Sequence, residues 1–169
     1  FFCCPFDAMG STMATYGGQN VGAKKMDRIS KGLKACSMLG IGYAVIAFGV
    51  LALTGRNLAL FFVERAEVEV IENVYLFLFI NSAFYIPLAF VNIVRFLIQG
   101  MGYSKFAILA GVCEMVARTL VGFALVPMFG FPAACFASPV AWIFADAFLF
   151  PAYRHVYHKT EEMLNVNIQ

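Results

Sequence analysis

Charge is what this sequence has least of. Asp, Glu, Lys and Arg make up 13% of its 169 residues, against about a quarter in an ordinary soluble domain. Hydrophobic residues reach 62%, and the mean hydropathy is +0.79. A soluble helical protein of this size cannot bury that much apolar surface, so soluble classes are excluded. The net charge of +2 offers no basic surface for nucleic acid. Paired metal-binding cysteines are also missing. Cys3, Cys4, Cys36, Cys113 and Cys135 stand in apolar surroundings, and adjacent Cys3 and Cys4 rarely bridge each other. They read as small apolar helix residues, with no metal. No GxxxxGK[ST] loop occurs to cradle a nucleotide. No nucleophile–base pair or metal constellation is visible, and no enzyme is expected. The first residue is Phe1, within an apolar segment that has no positively charged leader. That is not a signal peptide, and the chain reads as a cut through a larger protein.

What is there in abundance is apolar runs long enough to cross a bilayer, which takes about 20 residues. The class is all-α integral membrane, a polytopic helical bundle. Residues 1–17 read as the tail of one span, with Asp7 at a depth the sequence leaves open. Full spans are expected at 35–55, 73–99, 106–128 and 134–153. Between them lie a basic loop at 21–34, an acidic loop at 56–72, an uncharged turn at 129–133 and a polar tail at 154–169. Lys24, Lys25, Arg28, Lys31 and Lys34 face only Asp27 in the basic loop, which places it in the cytoplasm; a patch for anionic lipid is compatible with that. Glu64, Glu67, Glu69 and Glu72 make 56–72 external, as a solvated segment. The tail is then cytoplasmic. Gly40, Ala44 and Ala47 put small groups on one face of the first full span, where a neighbouring helix can approach.

Polar groups inside such spans are costly and therefore candidates for function. Asn81, Tyr85, Leu88, Asn92, Arg95 and Gln99 recur at helical spacing, forming one mostly polar face. Pro87 lies near its middle and can kink the helix. The stripe fits a helix lining an aqueous cavity, and equally an interhelical hydrogen-bond seam with Arg95 snorkelling to the interface. In the next span Glu114 and Arg118 are spaced i, i+4 and can pair. Ideal helix rise puts Glu114 about 13 Å, Arg118 about 20 Å and Asp146 about 12 Å from the charged ends of their spans. Arg95, Glu114, Arg118 and Asp146 are expected to form a compensated charge cluster between spans, with the long stem of Arg95 reaching Asp146. The alternative is that backbone, water or helices outside these residues satisfy each separately. His155 and His158 could chelate at i, i+3, but in a polar tail the pair reads as incidental.

These words together resemble the multidrug and toxic compound extrusion (MATE) family. The match covers ATYGGQNVGAKKMDRISKGLK, NIVRFLIQGMGYSK and the run from GVCEMVARTL to WIFADAF. The resemblance extends over essentially the whole chain and is to the end of the C-terminal lobe, from the eighth helix to the twelfth. It implies a twelve-helix, two-lobe secondary antiporter of a bacterial inner membrane. Such a protein exports cationic, amphiphilic compounds in exchange for protons or sodium ions by alternating access. The implied partners are the lipid bilayer, small cationic substrates and the missing N-terminal lobe. No covalently bound cofactor is implied, and the coupling-ion site lies mostly outside these residues. The family's coupling carboxylates are largely in helices absent here, and the tenth-helix acid of some sodium-coupled members is not found in 73–99, where Phe90 or its neighbours stand. Without the other lobe the chain should not transport. Two alternatives remain: a lipid-linked oligosaccharide flippase of the wider superfamily, and a non-transporting membrane subunit. Aromatic residues could meet cationic drugs by cation–π contact, though most suit a lipid-facing surface.

Overall fold

In lipid every backbone N–H and C=O has to be satisfied within the protein, which leaves helices as the economical answer for apolar runs. A computed structural model describes residues 1–60 and 68–166, and among these it is helical throughout with no strand. The elements are α1 (Cys4–Gly22), α2 (Met26–Ala59), α3 (Val68–Ala83), α4 (Tyr85–Gly100) and α5 (Ser104–Leu120). A π-helical segment (Val121–Leu125), the short α6 (Val126–Phe129) and α7 (Phe131–Cys135), and α8 (Ala137–Val166) follow. Among the described residues three stretches are long and apolar enough to cross a membrane: Met26–Ala59, Ser104–Phe129 and Phe131–Leu164. The bent pair α3 and α4 makes a fourth if counted as one span.

α4 is the centre of the bundle. Ile93, Val94, Leu97 and Ile98 are fully enclosed, because α1, α2, α5 and α8 all pack on this one helix. Its contact with α1 is a backbone-to-backbone approach. A Cβ added to Gly100 would strike the Ala14 carbonyl, and one added to Gly18 would come to 3.1 Å from the Gly100 oxygen. Small residues give transmembrane helices the close packing that hydrophobicity cannot drive in lipid. Gly40, Ala44 and Ala47 are likewise buried, and Gly40 abuts Ala89 and Ile93 of α4. The outward faces are as apolar as the core: Val45, Ile46 and Leu53 on α2, and Ile108, Met115 and Leu120 on α5, are exposed. A helix apolar on all sides belongs in hydrocarbon.

Several expected boundaries move. The basic segment 21–34 is not a loop. Only Ala23, Lys24 and Lys25 separate α1 from α2, so Arg28, Lys31 and Lys34 are helical. The turn is closed by Lys24 in the left-handed region, at φ 56°, and Lys, Arg, Met and Leu are all good helix formers once past it. The acidic loop is shorter than 56–72, with α2 running through Ala59 and α3 starting at Val68, and Arg56 pairs with Glu72 across the corner. Residues 61–67, with Glu64, Arg65 and Glu67, lie outside the described residues. The span 73–99 is two helices meeting at 53°. The break falls at Phe84, ahead of Pro87. Pro87 has no N–H for the Ala83 carbonyl, and it sits in the first turn of the new helix, where a missing N–H costs least. Pro127 has a related effect, since its missing bond coincides with the wider π turn at Val121–Leu125. The tail also stays helical as the end of α8, because Ala152, Val156 and Thr160 continue a buried stripe.

Candidate functional site

Arg95 is carried on the central helix α4, and its position follows from the packing around it. Buried Val91, Val94 and Ile98 hold this stretch of α4 against its neighbours, so the guanidinium emerges towards α5 and α8. There it bonds Glu114 Oε1, while Arg118 donates to Glu114 Oε2 at 3.3 Å. One carboxylate thus holds two guanidiniums, one from its own helix and one from α4. Glu114 is buried, Arg95 half-buried and Arg118 largely exposed. Asp146, on α8, is buried within electrostatic reach of Arg95 but makes no ion pair with it. Its Oδ1 and the Arg95 Nε are enclosed without a hydrogen-bond partner among the described residues. The expected cluster therefore assembles as a paired triad with a neighbouring carboxyl held apart.

The polar stripe divides at the Phe84 break. Asn81 is buried, donating to the Phe77 carbonyl at 2.9 Å and towards the Cys135 carbonyl of α7 at 3.5 Å. Tyr85 is buried beside Phe6 of α1, with ring centroids 5.5 Å apart, and its hydroxyl meets the Cys3 thiol at 3.9 Å. Asn92 bonds back to the Leu88 carbonyl of its own helix at 3.2 Å, the usual way such a side chain is satisfied in a helix interior. Gln99 is exposed near the end of α4. Asn81, Tyr85 and Arg95 thus tie α3 and α4 to α7, α1 and α5, whereas Asn92 and Gln99 make no such tie.

Sequence reasoning found the Glu114–Arg118 spacing but directed Arg95 to Asp146, whereas Arg95 shares the Glu114 carboxylate instead. No pattern along the chain carries that signal, because the pair joins helices 19 positions apart. It also missed a ring cluster in which Phe6 meets Tyr43 at 5.1 Å as well as Tyr85. His155 packs on Phe106, and His158 on Tyr157 and beside Glu161. Among the described residues no group of three or more His, Cys, Asp or Glu is placed to hold a metal ion. A groove of about 670 Å³ runs between α1 and α2, lined by Met9, Met13, Tyr16, Cys36 and Leu39 among others.

The MatE family model matches residues 1–124. A solved structure described as the inward-facing conformation of a multidrug resistance MATE family transporter of the MOP superfamily is similar in fold, with a TM-score of 0.76 at 16% identity. The likeness covers 88% of this chain and 34% of that one, so the chain spans about a third of the length of the structure it resembles. No curated protein matches the sequence.

Proposed function

Because the chain belongs to the MatE family, we propose that it is the end of the C-terminal lobe of a secondary antiporter, which exports cationic, amphiphilic compounds against protons or sodium ions by alternating access. The observation that carries this reading is Asp146, a buried carboxyl beside, and not within, the Arg95–Glu114–Arg118 triad. Exchange needs one site for which two cations compete. A carboxyl whose charge is not already spent on an arginine can take either a coupling ion or a substrate cation. An intramembrane ionisable group of this kind is costly to keep, which favours a working role. Arg95 bonds Glu114 and lies within electrostatic reach of Asp146, so a shift of α8 against α4 and α5 would let it change partner. That is a two-state element which ion binding could bias. The Met-lined groove between α1 and α2 is an adaptable apolar wall suited to varied amphiphilic substrates.

Both intramembrane arginines already engage Glu114. A flippase cavity should carry several unpaired cations for a pyrophosphate headgroup, and two arginines sharing one carboxylate favour the antiporter over it. The orientation follows from charge. Lys24, Lys25, Arg28, Lys31, Lys105, Arg154 and Lys159 gather at one end of the bundle, where α1 meets α2, α4 meets α5, and α8 finishes. The positive-inside rule makes that end, and the C-terminus, cytoplasmic. A bacterial inner membrane is the setting the reading implies.

The test is dye efflux by the full-length protein in proteoliposomes under an imposed proton or sodium gradient. Wild type should expel a cationic dye only with a gradient, and Asp146→Asn should lose that dependence while keeping its fold. Gradient-independent dye movement by wild type would reject antiport. Undiminished coupled efflux by Asp146→Asn would remove Asp146 from the mechanism.

A further inference from the structure

The basic segment that sequence reading laid out as a loop forms part of a cavity. At the α1–α2 corner a cleft of about 480 Å³ opens, lined by Lys24, Lys25, Met26, Asp27, Arg28 and Lys31 together with Glu161 and Leu164 from the end of α8. Residues more than a hundred positions apart in sequence thus share one concave site. Its cations outnumber its acids, and the lysines and Arg28 are exposed to whatever enters. Met26 and the partly buried Leu164 connect the cleft to the apolar core. Lys24 holds a left-handed backbone at φ 56°, a conformation that glycine would adopt without strain. A lysine kept there points to a use for its charge.

We propose that this cleft binds a phosphate group, supplied by the headgroup of an anionic phospholipid. Lysine and arginine side chains converging on one concavity suit a phosphate's several acceptor oxygens. The cleft also lies at the cation-rich end of an apolar bundle, where helix surface gives way to headgroup. Basic clusters beside spans attract anionic lipid in the same way. A headgroup wedged between the α1–α2 corner and α8 would couple the lipid to the helix that carries Asp146.

The test is native mass spectrometry of the full-length protein in neutral detergent, titrated with phosphatidylglycerol, phosphatidylcholine or inorganic phosphate. Wild type should retain phosphatidylglycerol well above phosphatidylcholine. A variant with Lys24, Lys25, Arg28 and Lys31 all changed to Gln should bind at least tenfold more weakly. A second variant loses equal charge elsewhere, at Lys34, Lys105, Arg154 and Lys159, and should keep the lipid. A third, with the three cleft lysines changed to Arg, should bind like wild type, which separates lost binding from lost folding. Inorganic phosphate displacing the lipid at the same cleft would support a phosphate site and make the soluble anion its competitor. Equal loss in both charge-neutralised variants, or no loss in the first, would overturn the proposal.

Discussion

Changing Glu114 to Gln keeps the shape of the side chain and removes the charge that holds two arginines. Its cost follows from how deeply each partner lies. The Glu114 side chain is 11% exposed, Arg95 23% and Arg118 47%. Breaking a buried ion pair by removing one partner costs about 3–5 kcal/mol, while an exposed pair is worth about 0.2–1 kcal/mol. Arg95 keeps some access to water, so Glu114→Gln should fall at the lower end, about 3 kcal/mol. Arg118→Gln breaks only the exposed bond and should cost under about 1 kcal/mol. At the length of the structure the chain resembles, about three times its own, the shift falls to about 1–2 °C per kcal/mol. Glu114→Gln should then melt about 3–6 °C below wild type and Arg118→Gln within about 2 °C. Trp142, the single tryptophan of these 169 residues, is buried on α8, which packs on α5. In a full-length protein whose other tryptophans are changed to Phe, its fluorescence during heating in neutral detergent reports the transition. The double variant Arg95→Gln, Glu114→Gln should be less destabilised than the sum of the single changes, because the arginine left without Glu114 is the exposed Arg118 and no buried charge stands unpaired in the triad. Equal melting shifts for Glu114→Gln and Arg118→Gln, or strict additivity in the double variant, would refute the paired triad.

The α1–α4 crossing gives a sharper steric test. Gly100→Ala forces a methyl onto the Ala14 carbonyl and should lower stability by about 1–3 kcal/mol, whereas Gly111→Ala, with nothing within 4 Å, should raise it by up to about 1 kcal/mol; the same melt should separate the two by several degrees. Lys24→Gly relieves a left-handed lysine and should gain about 1 kcal/mol while weakening phosphatidylglycerol retention, so stability and lipid binding should move in opposite directions. Tyr16 donates its hydroxyl to the Arg28 carbonyl at 3.0 Å across the α1–α2 corner. Tyr16→Phe should cost about 0.5–1 kcal/mol, and hydrogen exchange should show faster opening of the first turns of α2.

The sequence alone determined the class of the molecule and much of its local detail. Long uncharged runs leave the helix as the way to satisfy the backbone in lipid, and the small face at Gly40, Ala44 and Ala47 marks a contact whatever helix meets it. The Glu114–Arg118 pair was equally legible, since a spacing of four residues is a property of one helix. Tertiary structure decided everything that joins helices. It gave Glu114 its second arginine from α4, left Asp146 unpaired on α8, placed the break at Phe84 ahead of Pro87, and folded Lys24, Lys25, Arg28 and Lys31 into a cleft closed by the far end of the chain. The physical reason is one of range. Backbone hydrogen bonds and side-chain periodicity act within about one turn of helix, so residue order records them. In lipid, the choice of partner between helices rests on close packing and scarce polar contacts, and those exist only once the helices are brought together.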